Sequence, residues 1–325
     1  MEESIRRPQY REPSAQRARL DEINELLVDV ERELEAEWTV PTAPLVFIIG
    51  APRSGTTLAS QILAHSGTYA WVNNFVARFW SAPLVGVKIA RAMGLYAEDF
   101  RSTFASAWGT TEGWLEPHEF GYFWNRFFDL GQDTHKLAAA DLERVDGDAL
   151  RRAIDCIQAE YDAPLVLKNN TWCTLQAAYL AQLFPRAIFV ACFRDLVWLA
   201  QSLLMARRER LEDPDAWWSV RPATYQALRR LPVLEQVVGQ ARDIQQGLEA
   251  ELAAIPAERV VRVDYASMCH DPAALCRRIA AAAGIENLAN TRMPESFPAR
   301  EDIRISPAEW QTLSRLASNN LGAQL

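Results

Sequence analysis

Residues 44–57 read Pro-Leu-Val-Phe-Ile-Ile-Gly-Ala-Pro-Arg-Ser-Gly-Thr-Thr, and this stretch decides the fold class. A continuous apolar run is typical of a buried strand. It ends in a loop bounded by Gly50 and Gly55 that carries Arg53 and is followed by hydroxyl side chains. The first amides of a helix bind anions, because its dipole favours negative charge at that end. We therefore predict a strand, an anion-binding loop and a helix.

The loop departs from the nucleoside-triphosphate version at one position. Gly50 and Gly55 fit the pattern Gly-x-x-x-x-Gly, but Thr56 stands where that loop requires lysine. The cation lies inside the loop instead, at Arg53. A tight turn without any ligand is the alternative for a lone glycine-rich loop.

The hexapeptide Pro52–Thr57 resembles the 5′-phosphosulfate loop of sulfotransferases, whose usual form is Pro-Lys/Arg-Ser-Gly-Thr-Thr/Ser. The resemblance implies a donor, 3′-phosphoadenosine 5′-phosphosulfate, that leaves as the 3′,5′-bisphosphate, and no metal ion. The donor-binding residues that it implies in this loop are Arg53, Ser54, Gly55, Thr56 and Thr57.

A second matching segment lies downstream. Residues 187–193 have the pattern of a buried strand, Arg194 follows, and residues 196–210 predict a helix that carries Ser202. Eight helical residues return to within about 80° of the starting direction, so both side chains could reach one phosphate. In sulfotransferases such a pair holds the 3′-phosphate, which the resemblance implies here. Taken singly, Arg194 could be a surface ion-pair partner and Ser202 a surface residue.

Lys168 ends a third matching segment, residues 164–170. A sulfotransferase lysine at this place neutralises the departing phosphate, and a histidine often follows it as the base. Here residues 169–171 are Asn, Asn and Thr. The resemblance therefore implies the role of the family's lysine for Lys168, but the base must be a residue from another segment.

The best candidates for the base lie in residues 111–124, where a histidine and three carboxylates stand among aromatic residues. Pro117 can start a helix with His118 and Glu119 in its first turn. Histidine titrates near neutrality, and partial burial can raise the pKa of a glutamate into that range. We favour His118 over Glu119 as the catalytic base, with Glu112 and Glu116 as lesser candidates. Alternatively, Glu119 is only a helix-start carboxylate and His118 a packed ring.

Strand patterns near residues 45–49, 165–168, 187–193 and 259–263 alternate with helical segments, which predicts a parallel sheet with right-handed crossovers. The predicted fold class is a three-layer α/β fold, a P-loop-like parallel sheet flanked by helices with a helical insertion or lid. Residues 1–43 are predicted to form a helical extension and residues 44–325 a single domain. Its acceptor-side helical segments are predicted at about 71–160, where aromatic residues can form the core or pocket walls, and at 204–253.

Composition limits the partners. The net charge of −8 argues against a general nucleic-acid binder, and no apolar run is long enough to span a membrane. The five cysteines have no paired spacing and the N-terminus lacks an apolar signal core, so we expect a cytoplasmic protein. The oligomeric state is not indicated.

The leading hypothesis is transfer of a sulfuryl group to a hydroxyl or amine of a small-molecule, sugar or lipid-like acceptor. One alternative is a P-loop small-molecule kinase, in which Asp264 at the end of residues 260–264 would organise magnesium. Another is a non-catalytic nucleotide-binding protein that kept the loop and lost the base.

Overall fold

The structure is a computed structural model that describes residues 5–95, 100–131, 133–289 and 293–319. The strands are β1 Leu45–Gly50, β2 Ala70–Trp71, β3 Ser106–Ala107, β4 Thr110–Thr111, β5 Leu165–Lys168, β6 Ile188–Phe193 and β7 Val260–Asp264. The helices are α1 Ser14–Leu34, α2 Thr56–His65, α3 Pro83–Ala92, α4 Gly121–Trp124, α5 Ala139–Leu142, α6 Gly147–Tyr161, α7 Ala177–Leu183, α8 Leu196–Arg210, α9 Tyr225–Leu228, α10 Val233–Leu252, α11 Tyr265–His270, α12 Pro272–Ala283 and α13 Pro307–Ser318.

Strand β1 is the centre of a parallel sheet with the order β2-β5-β1-β6-β7. It pairs with β5 from Leu45↔Leu165 onward and with β6 from Val46↔Ile188 onward. The chain moves from β1 to the β2 edge, returns to β5 and then crosses to β6, so the direction of winding reverses beside β1. In open α/β sheets, ligands bind at the carboxyl edge at such a reversal. The predicted α/β fold with a parallel sheet is confirmed, and the loop after β1 lies at that edge.

The apolar sequence of β1 explains its central position, because both of its faces are buried. Phe47 and Ile49 belong to one core cluster, while Val46 and Ile48 belong to the cluster on the other face. The ring of Phe47 stacks on that of Phe189, with centroids 5.3 Å apart. Burying each of these side chains contributes about 1.5–3 kcal/mol, so the end of β1 is firmly held.

Helices cover both faces of the sheet. The core cluster that contains Val46 includes residues from α2, α11 and α12, and the cluster that contains Phe47 includes residues from α6, α7 and α10. A third cluster joins α8, α10 and α13. Within the described ranges, no helix combines the length and the apolar character that crossing a bilayer needs.

Two local predictions need correction. The predicted helix start at Pro117 is wrong, since α4 begins at Gly121 and Phe120 before it has a φ of 56°. His118 instead donates its backbone N–H to the carbonyl of Val72 at 2.9 Å, so this segment extends along the chain that follows β2. The antiparallel hairpin β3–β4 was not predicted, because strands of two residues are too short to show a periodicity.

Candidate functional site

The loop after β1 is folded tightly against β6. A Cβ atom on Gly50 would lie 2.6 Å from Ser54 Oγ and 2.7 Å from the carbonyl oxygen of Cys192. Thr174 Oγ1 accepts the N–H of Gly50 at 3.1 Å and donates to its carbonyl oxygen at 3.0 Å. Only glycine permits this approach at position 50.

Helix α2 starts at the end of this loop without a side-chain cap. Gly55, which precedes it, has a φ of 96°, and a Cβ there would lie 2.6 Å from Cδ2 of Tyr265. Several other helices are capped by carboxylates, for example α8 by Asp195 and α12 by Asp271. The uncapped amides of α2, next to Thr56 and Thr57, are therefore able to bind an anion.

Three residues that the sequence predicts for donor binding lie together beside this helix. Arg53 adopts a positive φ of 76° and donates from Nε to Ser202 Oγ at 3.1 Å. Arg194 donates from Nη1 to the carbonyl oxygen of Arg53 at 3.1 Å. The residue after β6 and the second turn of α8 thus both contact the loop.

The positive charges at this point lie close to one another. Burial, and secondarily the charges of Arg194 and Arg300, lower the pKa of Arg53 to about 10, and burial also lowers the pKa of Arg194. In the part of the chain that the structure describes, no carboxylate forms an ion pair with Arg53 or Arg194. A bound anion would relieve this concentration of positive charge.

Buried polar atoms without partners point to the same ligand class. Among the described residues, neither Ser54 Oγ nor Arg194 Nε has a hydrogen-bond partner, although both atoms are buried. A buried polar group left unpaired costs about 1–3 kcal/mol. Phosphate or sulfate oxygens would satisfy both atoms, so the residues present fit an anionic ligand.

Sequence reasoning missed Arg300 and gave no role to Tyr265 at this site. The guanidinium of Arg194 lies 4.3 Å from the ring centroid of Tyr265, whose Oη accepts the N–H of Arg300 at 3.3 Å. Arg194 Nη2 also donates to the carbonyl oxygen of Arg300. No motif surrounds Arg300, so nothing in the sequence alone signals its place.

Lys168 connects the loop to the segment with the candidate bases. Its Nζ donates to Thr57 Oγ1 at 3.1 Å and forms an ion pair with Glu119 Oε1. The Lys168 side chain is only 4% exposed and that of Glu119 is 43% exposed, so a buried cation holds a carboxylate at the edge of the site. Asn169 Nδ2 donates to the carbonyl oxygen of Glu119 at 2.9 Å and fixes the same segment.

His118 has its Nδ1 lone pair occupied. Nδ1 accepts the backbone N–H of Phe120 at 2.8 Å, and burial lowers the pKa of the ring to about 4. The imidazole is therefore neutral at pH 7, with its proton on Nε2. In this state the free ring nitrogen can donate a hydrogen bond but cannot accept a proton.

The lesser candidate Glu116 is buried, and its carboxylate serves to hold neighbouring segments together. Its carboxylate accepts from the Ser102 hydroxyl at 2.8 Å, from the Thr103 N–H at 2.7 Å and from Gln61 Nε2 at 3.1 Å. These bonds tie α2 to the chain before the hairpin. The other lesser candidate, Glu112, is exposed.

The tip of hairpin β3–β4 lies over the site. Trp108 and Gly109 have φ values of 54° and 93°, as a two-residue type I′ turn requires. The Arg53 guanidinium lies 5.4 Å from the Trp108 ring centroid. A Cβ on Gly109 would be 3.8 Å from Thr57 Oγ1 and 4.0 Å from Glu119 Oε1. The turn therefore borders both the anion loop and the carboxylate.

Comparisons with known proteins agree with this geometry. A family model described as the sulfotransferase family matches residues 44–289. The crystal structure of sulfotransferase STF9 from Mycobacterium avium is similar with a TM-score of 0.50 and 16% identity, over 80% of this chain and 68% of that one. Sulfotransferase STF1 from Mycobacterium tuberculosis H37Rv gives a TM-score of 0.50 and 16% identity, over 84% and 76% of the two chains. These likenesses show a shared fold. A search of curated proteins found no match.

Proposed function

The chain belongs to the sulfotransferase family, and from this premise we propose that it transfers a sulfuryl group from 3′-phosphoadenosine 5′-phosphosulfate to a hydroxyl or amine. The acceptor would be a small molecule, a sugar or a lipid-like compound. The observation that carries the proposal is that Arg53, in the loop before α2, contacts both Arg194 and Ser202, while Lys168 contacts the end of the same loop and binds Glu119.

The donor would be held at two places. The amides at the start of α2, with Ser54, Thr56 and Thr57, suit the 5′-phosphosulfate, because they offer several donors on one short arc. Arg194 and Ser202 suit the 3′-phosphate, and Arg53 lies between the two groups. When bound, the donor supplies the sulfuryl group: the acceptor oxygen or nitrogen bonds to sulfur as the bond from sulfur to the bridging phosphate oxygen breaks.

Lys168 is suited to neutralise the departing phosphate. Its ammonium group is buried and contacts Thr57, the last residue of the anion loop, at 3.1 Å. A cation held in a water-poor place stabilises developing negative charge more strongly than one in solvent. Its second partner, Glu119, would hold the Lys168 side chain beside the loop.

We propose Glu119 rather than His118 as the base. The Glu119 carboxylate lies beside Lys168 at the edge of the site and is 43% exposed, so an acceptor can approach it and transfer its proton to it. His118 would have to take a proton on Nδ1, which already accepts the N–H of Phe120. The His118 ring is then a donor through Nε2 and a support for the turn before α4.

The kinase alternative has less support. Thr56 replaces the lysine that binds the terminal phosphates of ATP. Asp264 lies at the end of the edge strand β7, separated from β1 by β6, and its carboxylate accepts the N–H of Ser267 at 2.9 Å as the cap of α11. The non-catalytic alternative was suggested by the missing histidine after Lys168, and it has less support because Glu119 supplies a carboxylate at that lysine.

Thermal unfolding with the 3′,5′-bisphosphate tests the donor site. A ligand at one hundred times its Kd stabilises the folded state by about 2.7 kcal/mol. We expect a saturable rise in Tm, lost in Arg194→Ala, and no larger rise with ATP and magnesium. Absence of the bisphosphate effect would remove the proposal, a larger effect of magnesium-ATP would favour the kinase, and binding without transfer to any alcohol, phenol, amine or sugar would favour the non-catalytic protein.

A further inference from the structure

Gly109, at the tip of hairpin β3–β4, faces the space between the anion loop and the proposed base. A Cβ atom there would lie 3.8 Å from Thr57 Oγ1, 3.9 Å from Arg53 Nη1 and 4.0 Å from Glu119 Oε1. Apart from the turn itself, these are the nearest heavy atoms of the described residues. The absent side chain of Gly109 therefore leaves room for one further atom in contact with all three groups.

A ligand can reach this space from solvent. Gly109, Thr57 and Arg53 are each partly exposed, and the Glu119 side chain is 43% exposed. By contrast, a Cβ on Gly55 would lie 2.6 Å from a neighbouring ring, because the chain is closely packed there. Close packing against neighbouring segments therefore does not account for a glycine at position 109.

The hairpin is attached to both borders of this space. Thr111 Oγ1 donates to the carbonyl oxygen of Pro117 at 2.8 Å, which ties the second strand of the hairpin to the segment that carries Glu119. At the tip, the ring of Trp108 packs on the Arg53 guanidinium, with 5.4 Å between the guanidinium carbon and the ring centroid. A side chain added at position 109 would therefore stay between the anion loop and the carboxylate.

The distances to the anion loop match those of the sulfur in a bound sulfuryl group. With a hydrogen bond of about 2.9 Å, a sulfur atom lies roughly 3.8 Å from a group that donates to one of its oxygens. The Cβ position of Gly109 has such distances to Thr57 Oγ1 and Arg53 Nη1. Lys168 Nζ, which is 3.1 Å from Thr57 Oγ1, adds a second cation. Two cations and a hydroxyl suit the negatively charged oxygens of a sulfuryl group.

We propose that the turn of Trp108 and Gly109 forms one wall of the sulfuryl subsite, and that Gly109 is a specificity-determining residue whose missing side chain admits the sulfuryl group. This inference rests on the proposed function, because it takes the anion loop as the site of the phosphosulfate. The 3′,5′-bisphosphate lacks the sulfuryl group and does not need this space. A side chain at position 109 therefore excludes the sulfated donor and still admits the bisphosphate.

Isothermal titration calorimetry of the full chain tests the inference without an acceptor. The two probes, 3′-phosphoadenosine 5′-phosphosulfate and the 3′,5′-bisphosphate, are titrated separately into the wild type, Gly109→Ala and Gly109→Asn. Asparagine is included because it tolerates a positive φ. Gly113→Ala is the matched control, since the φ of Gly113 is 106° and that of Gly109 is 93°. Among the described residues, only Glu116 Cγ, at 3.8 Å, lies within 4 Å of a Cβ on Gly113.

We expect Gly109→Ala to weaken binding of the sulfated donor by about tenfold or more and to keep the bisphosphate affinity within about threefold, because overpacking affects only the ligand that fills the space. Gly109→Asn should weaken donor binding further, and Gly113→Ala should keep both affinities. An unchanged donor affinity in Gly109→Ala, or an equal loss for both probes, overturns the inference and leaves the proposed function standing. A wild type that binds neither probe overturns the proposed function and this inference with it.

Discussion

Replacing Arg53 by methionine should stabilise the protein without ligand and abolish donor binding. Desolvation of the Arg53 guanidinium, and secondarily the charges of Arg194 and Arg300, lower its pKa from the ordinary 12.5 to about 10. For a cation, a lowered pKa means that the charged form is less stable in the folded protein than in the unfolded chain. At neutral pH the full penalty is present, because pH 7 lies below both values.

The size of the effect follows from this difference. A pKa lowered by this amount corresponds to about 3 kcal/mol. Because the Arg53 residue as a whole is partly exposed, screening by solvent reduces that value. Methionine removes the charge and the Arg53–Ser202 hydrogen bond, which contributes about 1 kcal/mol. Because Ser202 is partly exposed, water can replace the lost donor. We expect a net gain of about 1–2 kcal/mol in the free energy of unfolding.

Arg207 provides a matched control with the opposite result. Burial lowers its pKa to about 10 as well, but Nη1 and Nη2 bind Gln236 Oε1 at 2.7 Å and Gln240 Oε1 at 2.9 Å. Arg207→Met would also relieve the buried charge, but it would leave two buried amide oxygens unpaired, at about 1–3 kcal/mol each, and would remove the contact of the guanidinium with the Trp217 ring at 4.7 Å. The losses exceed the relief. We therefore expect this variant to be destabilised. An arginine retained for a ligand and one retained for the fold should differ in this way.

Urea unfolding at pH 7.5, with and without saturating 3′,5′-bisphosphate, measures both effects. The wild type should gain stability from the ligand, Arg53→Met should be more stable without it and gain nothing from it, and Arg207→Met should lose stability. The reasoning is refuted if Arg53→Met is destabilised as much as Arg207→Met, or if it keeps the ligand-dependent gain.

Three further predictions concern the base, the pH dependence and the loop. Glu119→Gln should lower kcat about 10²–10⁴-fold and change the affinity for the bisphosphate by no more than about threefold, whereas His118→Gln should lower kcat less than about tenfold. Steady-state kinetics with an accepted alcohol measure both variants, and equal losses of kcat would contradict the assignment of Glu119 as the base. Burial lowers the pKa of His118 to about 4, so as the pH falls this histidine is protonated in the unfolded chain before it is protonated in the folded protein; His118 therefore removes about 2 kcal/mol of stability between pH 7 and pH 5. The urea midpoint of His118→Gln should depend less on pH than that of the wild type, and an unchanged dependence would contradict the prediction. Gly55→Ala should lower the free energy of unfolding by about 1–3 kcal/mol, since its φ is 96° and a Cβ would lie 2.6 Å from Tyr265. Gly94→Ala, with a φ of 67° and no atom of the described residues within 4 Å of its Cβ, should cost less, and equal costs would mean that crowding plays no part.

Much of the fold and part of the site could be predicted from the sequence, because local patterns carry them. The apolar run of β1, the glycine spacing of the loop and the helix at 196–210 depend on residues within one element, and the structure has them where they were predicted. The short strand β2 and the hairpin β3–β4 escaped prediction, because two-residue strands exist only through their partners. The start of α4 was predicted wrongly, because pairing of the chain at His118 with Val72 outweighs the local helix signal of Pro117.

The sequence by itself determined that an anion loop follows a buried strand and which cations accompany it, since spacing within a strand, turn or helix decides where such side chains point. Only the tertiary structure shows that Lys168 contacts Glu119 and that Arg300 lies beside Arg194. Only the structure shows, too, that the Nδ1 lone pair of His118 accepts the N–H of Phe120. These contacts join segments that lie far apart in the chain or depend on how a turn packs. The residues of the proposed donor site therefore follow from local pattern, and the neighbourhood of the proposed base follows from long-range packing.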